Sequence, residues 1–412
     1  LFYFCSFGWA LWQGYGINVV LRLRTSHLCR RYCGEVPFTP LAGPEVKQRE
    51  QNRKTGGIGR RGVLRYTAAL GLGSAGLGAT ADMPAARADS LTVPSEWRIF
   101  RDRFVTSDGR VVDTGNGGIS HSEGQGWGML FAEAAGDKER FDLIFAWTST
   151  HLARPVDALH IWRYDPNAAL PTSDPNNATD GDIFIAWALA RAARRWQEPA
   201  FSIAGAAIAT DILNRLCVQQ SGQFYLLPGI QGFASAKNFN LNPSYYVFPA
   251  FGALAQLAPS PDWDMLRANG LSTLQSALFG SWGLPPDWLA VSRPGLELAP
   301  AAGWPPRFSY DAIRVPLWLT WADVMPPVMG KNFLRFWQSS AFPYRPAWIN
   351  LEDGAFADYP APSGMSAIAS LTMAAQAGTA PQLPSVADAP DYYSAALTLL
   401  SRMAASEMAG AE

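Results

Sequence analysis

Three acidic stretches carry residue types that could do chemistry. The first is Ser122-Glu123-Gly124-Gln125-Gly126-Trp127. Its glycines let backbone or ligand approach the carboxyl closely, and Trp127 could dehydrate it. Dehydration raises a carboxyl pKa and makes a proton donor at neutral pH. The second is Ala178-Thr179-Asp180-Gly181-Asp182, just ahead of an apolar run. The third is Phe308-Ser309-Tyr310-Asp311-Ala312-Ile313-Arg314. There Asp311 and Arg314 meet across a helical turn, and the cation keeps the carboxylate ionised, as suits a base. Each stretch also has a plainer reading. Ser122 fits an N-cap with Glu123 in the first turn, Thr179 with Asp182 resembles a capping arrangement, and Asp311–Arg314 is a common structural ion pair. Taken singly, each favours the plain reading. Taken together, they are three carboxylates at three helix starts. Brought to one rim, they supply what glycosidic cleavage requires: one protonated acid to release the leaving oxygen and one ionised base to activate water.

The elements that must position them are helical. Apolar residues repeat at helical spacing over Trp127–Ala135, Phe141–Leu152, Ile183–Trp196, Ser202–Val218, Tyr246–Leu257, Met265–Leu278, Val315–Val324, Phe333–Ser339, Met365–Ala375 and Tyr392–Met408. Pro-, Gly- and Asn-rich connections separate them. Alternating strands are few; Arg110–Asp113 and Gln223–Leu227 suit short hairpin pieces. No βαβ alternation and no phosphate-binding glycine motif occurs. About ten to twelve helices of roughly 10–17 residues suggest packed helical hairpins closing into a ring, with a solenoid as the alternative that no fixed repeat supports.

Composition narrows the function. The chain has 412 residues, 48% of them hydrophobic, with 16 Trp and 13 Tyr. Rings at that level fill cores and also line carbohydrate grooves. Residues 1–88 read differently. Leu1–Leu21 is apolar and uncharged, which leaves a membrane span and a translated non-coding stretch both open. Arg60-Arg61, the uncharged run Tyr66–Ala81 and Ala86-Arg87-Ala88 have the order of a twin-arginine export signal with its cleavage site. Residues 1–88 are expected to be removed, leaving 89–412 as one domain, periplasmic or secreted. The first 88 residues hold 12 of the 33 basic and 4 of the 34 acidic residues, so the remainder has 21 basic and 30 acidic residues and a net charge of −9. That argues against nucleic acid and anionic membranes as partners, with a membrane met only through the uncleaved N-terminus. Cys217 alone of four cysteines remains there, so no internal disulfide forms, and no Cys/His cluster has metal spacing.

The stretches "SEGQGWGM", "ATDGDIFIAWAL", "NPSYY" and "SYDAIRVPLWL" resemble, in order, the signature segments of glycoside hydrolase family 8. The likeness runs from about Ser95 to Tyr393 and is greatest to the endoglucanases encoded beside bacterial cellulose synthase. It implies an (α/α)6 barrel, inversion at the anomeric carbon and no cofactor. It also implies Glu123 as general acid, Asp311 as general base, and Asp180 as the residue that binds and distorts the sugar at the cleavage point. Asp182 would be a helix-start residue. Tyr245 would touch the attacking water or the distorted sugar, with Arg314 holding Asp311 or Tyr245. Trp162 would stack on sugar, and Trp127 and Phe239 stand where relatives carry Tyr and Trp in substrate contact. An inverting pair should stand roughly 6.5–9.5 Å apart. The expected reaction is endo-hydrolysis of β-1,4-glucan chains (cellulose), with the cellulose synthase machinery as a further partner. Xylan, chitosan or mixed-linkage glucan as substrate, and an inactive glucan-binding protein, are the competing expectations.

Overall fold

In the computed structural model residues 92–410 are described; the expected export signal and Leu1–Leu21 lie outside them. Eleven α-helices occur among the described residues: α1 Val93–Phe104, α2 Ser122–Ala135, α3 Lys138–His151, α4 Thr179–Trp196, α5 Pro199–Leu216, α6 Phe248–Leu257, α7 Asp262–Ser276, α8 Arg314–Trp321, α9 Pro327–Trp337, α10 Ser363–Ala377 and α11 Tyr392–Ala409. Ten of them match the expected periodic segments. The first, α1, was not among them. It starts on Thr92, whose side chain accepts the Ser95 N–H, and it buries Trp97, Phe100 and Phe104.

Packing sorts the helices into two shells. Helices α2, α4, α6, α8, α10 and α11 contact one another in succession, and α11 returns to α2. Outside them, α1 packs on α2 and α11, α3 on α2, α5 on α4 and α6, α7 on α6, and α9 on α10. The sixth outer place, between α10 and α11, is taken by a 3-10 turn, Val386–Asp388, seated on α1 and α11. This is an (α/α)6 arrangement with eleven α-helices where twelve would be regular. Inner helices are buried almost all round: in α4, residues 179–189 are all buried. A helix apolar on every side belongs in a core.

The short strands decorate the loops as antiparallel pairs: β1 Ser120–His121 with β2 Arg163–Tyr164, β3 Cys217–Gln220 with β4 Gln223–Leu226, and β8 Arg307–Phe308 with β9 Ile349–Asn350. A three-stranded sheet joins β5 Asn238–Leu241, β6 Leu289–Ser292 and β7 Leu298–Pro300. The expected helix 202–218 therefore stops at Leu216, because Cys217 and Val218 pair with Leu226 and Tyr225. The expected strand 110–113 forms only single bridges, Val105 to Val111 and Asp113 to Ile119.

Glycine sets how closely α2 and α4 approach. A Cβ on Gly181 would collide with the Ser122 side chain and stand 2.7 Å from the Glu123 backbone nitrogen. One on Gly126 would stand 2.6 Å from Phe184 Cβ. Gly181→Ala should push the start of α4 away from that of α2 and cost about 1–3 kcal/mol. Urea melts of the variant should show the loss as a lower midpoint with unchanged slope; an unaltered midpoint would mean that the contact yields freely.

Candidate active site

The inner helices place their N-termini on one rim, and the three carboxylates arrive there. Glu123 is in the first turn of α2, Asp180 in the first turn of α4, and Asp311 in the turn that leads into α8. Tyr245 closes the 3-10 turn Pro243–Tyr245 that precedes α6. The local caps differ from expectation. His121, not Ser122, caps α2, its Nδ1 accepting the Gly124 N–H at 3.0 Å. Helix α4 has no side-chain cap. Thr179 donates instead to the Leu227 carbonyl at 2.6 Å. Asp182 is fully buried and accepts from the His160 backbone N–H at 2.8 Å, the His160 ring at 2.9 Å and Asn177 Nδ2 at 3.0 Å. It is in the first turn of α4, as expected of a helix-start residue, and there it also ties two loops to the helix.

Arg314, 4% exposed, joins the acids. Its Nη1 lies 3.0 Å from Glu123 Oε1, and its Nη2 donates to Asp311 Oδ1 at 3.0 Å and lies 3.8 Å from Asp180 Oδ2. Nη2 also donates to Ser244 Oγ at 2.8 Å, and Ser244 in turn donates to Asn242 Oδ1 at 2.7 Å. The expectation that Arg314 holds Asp311 or Tyr245 resolves to Asp311, with the Ser244 neighbour in place of Tyr245. The Glu123 contact is charge pairing without an aligned hydrogen bond, since Oε1 is buried with no hydrogen-bond partner.

These surroundings push on Glu123 in opposite directions. Burial raises its pKa well above the usual carboxyl range; Arg314 opposes this, while the charge of Asp180, a hydrogen bond with it, and the charge of Asp311 add to the rise. The α2 dipole also favours the ionised form, by about 0.3–1 kcal/mol. That is less than a single pKa unit, about 1.4 kcal/mol. Burial is the largest of these effects, and the net direction favours the protonated form of Glu123. Asp180 is also raised, again chiefly by burial and against Arg314. Asp311 is the carboxylate that solvent reaches: its side chain is 32% exposed, against 13% for Glu123 and 4% for Asp180. A buried proton donor and an exposed acceptor therefore stand on opposite nitrogens of one guanidinium, separated by its width and two contacts.

The aromatic residues divide. Trp162 is half-buried, with its ring N–H pinned to Asp174 Oδ2 at 2.8 Å, and keeps surface for a sugar. Tyr245 is partly buried, and burial followed by the charges of Asp180, Asp311 and Glu123 pushes its hydroxyl pKa well up. Two expected substrate contacts are corrected. Phe239 is fully buried in a separate cluster with Tyr225, Leu241 and Val291, and Trp127 is fully buried against Phe184 and Tyr392. Neither has a face open to a ligand. Trp127 lies beneath the guanidinium, its ring centre 6.0 Å from Arg314 Cζ. Ser244, Asn242 and His121 were missed; only the Asn-Pro-Ser-Tyr stretch hinted at the first two. Among the described residues no group of three or more His, Cys, Asp or Glu is placed to hold a metal ion.

Residues 78–407 match the family model described as glycosyl hydrolases family 8. The chain is 45% identical over 315 residues to a protein of Novacetimonas hansenii described as "Probable endoglucanase", covering 76% of this chain and 91% of that one. It is 39% identical over 277 residues to the endoglucanase of Cellulomonas uda, covering 67% and 77%. Among solved structures, the endo-beta-1,4-glucanase CMCax from Acetobacter xylinum superposes with a TM-score of 0.73 at 44% identity, covering 77% of this chain and 99% of that one.

The raised pKa of Glu123 has a consequence for stability. Its ordinary value is 4.5 and the folded value is higher, so above about pH 4.5 the folded state binds the proton more tightly than the unfolded chain. Stability is therefore lost as pH rises through that window, and Gln, which does not titrate, escapes the loss. Thermal melts from pH 4 to 8 should show Glu123→Gln gaining on the parent as pH rises, with the gap narrowing toward pH 4. A gap independent of pH would mean that Glu123 is not held protonated.

Proposed function

The chain belongs to glycosyl hydrolase family 8, and on that premise we propose the reaction it performs: endo-hydrolysis of β-1,4-glucosidic bonds in cellulose chains, with inversion at the anomeric carbon. It is a glycoside hydrolase, and its endoglucanase relatives span most of its length. The observation that carries the mechanistic reading is the pairing of a dehydrated Glu123 with an accessible Asp311 on one guanidinium. Glu123 gives its proton to the glycosidic oxygen as the bond to the anomeric carbon breaks. A water on the opposite face attacks that carbon and loses a proton to Asp311. Glu123 ends as a carboxylate and Asp311 as an acid, and exchange with solvent resets both. Asp180, beside Glu123 and Arg314, binds the sugar at the cleavage point, Tyr245 lies against that sugar or the attacking water, and Trp162 stacks a neighbouring ring. The acid and base are worth about 10²–10⁴-fold each.

The Arg60-Arg61 signal and the Ala86-Arg87-Ala88 exit favour an exported enzyme, periplasmic or secreted. The likeness to endoglucanases of cellulose-producing bacteria favours work beside the cellulose synthase machinery, on its product.

Hydrolysis of a soluble cello-oligosaccharide followed by NMR should show fresh α-anomer. Glu123→Gln and Asp311→Asn should each lower kcat by at least about 10²-fold, and Glu123→Gln should still bind the oligosaccharide. Fresh β-anomer would contradict the inverting path, and turnover of xylan or chitosan in preference to cello-oligosaccharide would reassign the substrate.

A further inference from the structure

A fourth carboxyl stands beside the three, and the reaction above gives it no part. Asp287 lies in the link between α7 and β6, after Leu284-Pro285-Pro286. Its backbone N–H donates to the Arg307 carbonyl at 2.7 Å, which fixes it to the strand that ends just before Asp311. Its Oδ1 accepts the backbone N–H of Ser309 at 3.0 Å and that of Ala312 at 2.8 Å. Those two donors bracket Asp311. Ser309 and Ala312 are themselves buried, so their N–H groups have no water to turn to. The rest of the turn is closed locally by Ile313 N–H to Ser309 O and Arg314 N–H to Asp311 O.

We propose that Asp287 is the positioning residue for Asp311: by accepting both N–H groups on either side of it, Asp287 fixes the depth and direction at which the Asp311 carboxylate meets water. This rests on the reading of Asp311 as the base. Asp287 does not stand in for that base. Its Oδ1 already takes two donors, whereas the Asp311 side chain spends one contact on Arg314 and is a third exposed. Burial, and then the charge of Asp311, push the Asp287 carboxyl up to about 8, so at neutral pH it is an uncharged acid. An amide of the same shape reproduces an uncharged acid that accepts through one oxygen. An alkyl side chain does not.

The test compares D287A and D287N with D311N on one soluble cello-oligosaccharide. D311N should be inactive. D287A should lose about 10- to 100-fold in kcat, since displacing a reacting group by about 1 Å costs about 10²-fold, with KM little changed. D287N should recover most of that loss. Near-ultraviolet circular dichroism checks the fold; if D287A does not fold, D287S, whose hydroxyl is too short to reach both donors, takes its place with the same expected loss. An active D311N would overturn the base assignment itself. An inactive D311N beside a D287A of parental kcat would overturn the positioning role alone, as would a D287N no better than D287A or a loss that falls on KM.

Discussion

One buried guanidinium organises this molecule's chemistry. Arg314 sits in the interior end of the barrel with three carboxyls in its reach and almost no solvent. Neither charge type would be stable there alone: removing one partner from a buried ion pair costs about 3–5 kcal/mol because the other is left uncompensated. The arrangement persists because the remaining capacity of the guanidinium is also met, by Ser244, which is fixed by Asn242 and whose carbonyl accepts the Trp318 ring N–H. Arginine suits the position as lysine would not. Its planar, forked donors face different acids at once and hold them apart.

From that follows the division of labour. Three acids around one cation cannot all be ionised at once in a dehydrated pocket. The proton goes to the group that loses most by ionising: exposure separates Asp311 from the two inner acids, and hydrogen bonding separates those two, since Asp180 accepts the Gly181 N–H at 2.7 Å while Glu123 Oε1 is buried with no hydrogen-bond partner. Glu123, packed over α4 by the Gly126 and Gly181 contacts, is dehydrated; Asp311, on a turn at the rim, is not. The fold contributes by bringing the starts of successive inner helices to one end. Glu123 and Asp311, 188 residues apart, then share a partner.

Much of this is legible in the sequence, for particular reasons. Ten helices announce themselves by apolar spacing, and Asp311 with Arg314 by a separation of three residues. Glu123 and Asp180 are legible because motif and helix start coincide. What escaped depends on side-chain direction and on turn geometry. Phe239 was expected in the groove, but β5 alternates, and Phe239 with Leu241 falls on its buried face. Register along a strand does not say which face meets the ligand until the sheet is placed. Trp127, four residues after Glu123 on the same helix, is a neighbour that points behind the acid, into the core. His121 capping α2 displaced the more usual Ser122. Asp287 lies 24 residues before Asp311 with three strands between, and only the folded β6–β8 region shows that they adjoin. The twelfth helix that is absent among the described residues is a similar case: Ser385 and Asp388 cap a single 3-10 turn in its place.

The most direct test of the account is a crystal structure of Glu123→Gln with a cello-oligosaccharide spanning the cleavage point. The account predicts the glycosidic oxygen within about 2.6–3.2 Å of the residue 123 side chain. It predicts a water on the opposite face of that sugar bonded to Asp311, and carboxyl positions 123 and 311 roughly 6.5–9.5 Å apart. Arg314 should remain between them. A chain lying away from residue 123, or an Asp311 with no water between it and the anomeric carbon, would contradict it.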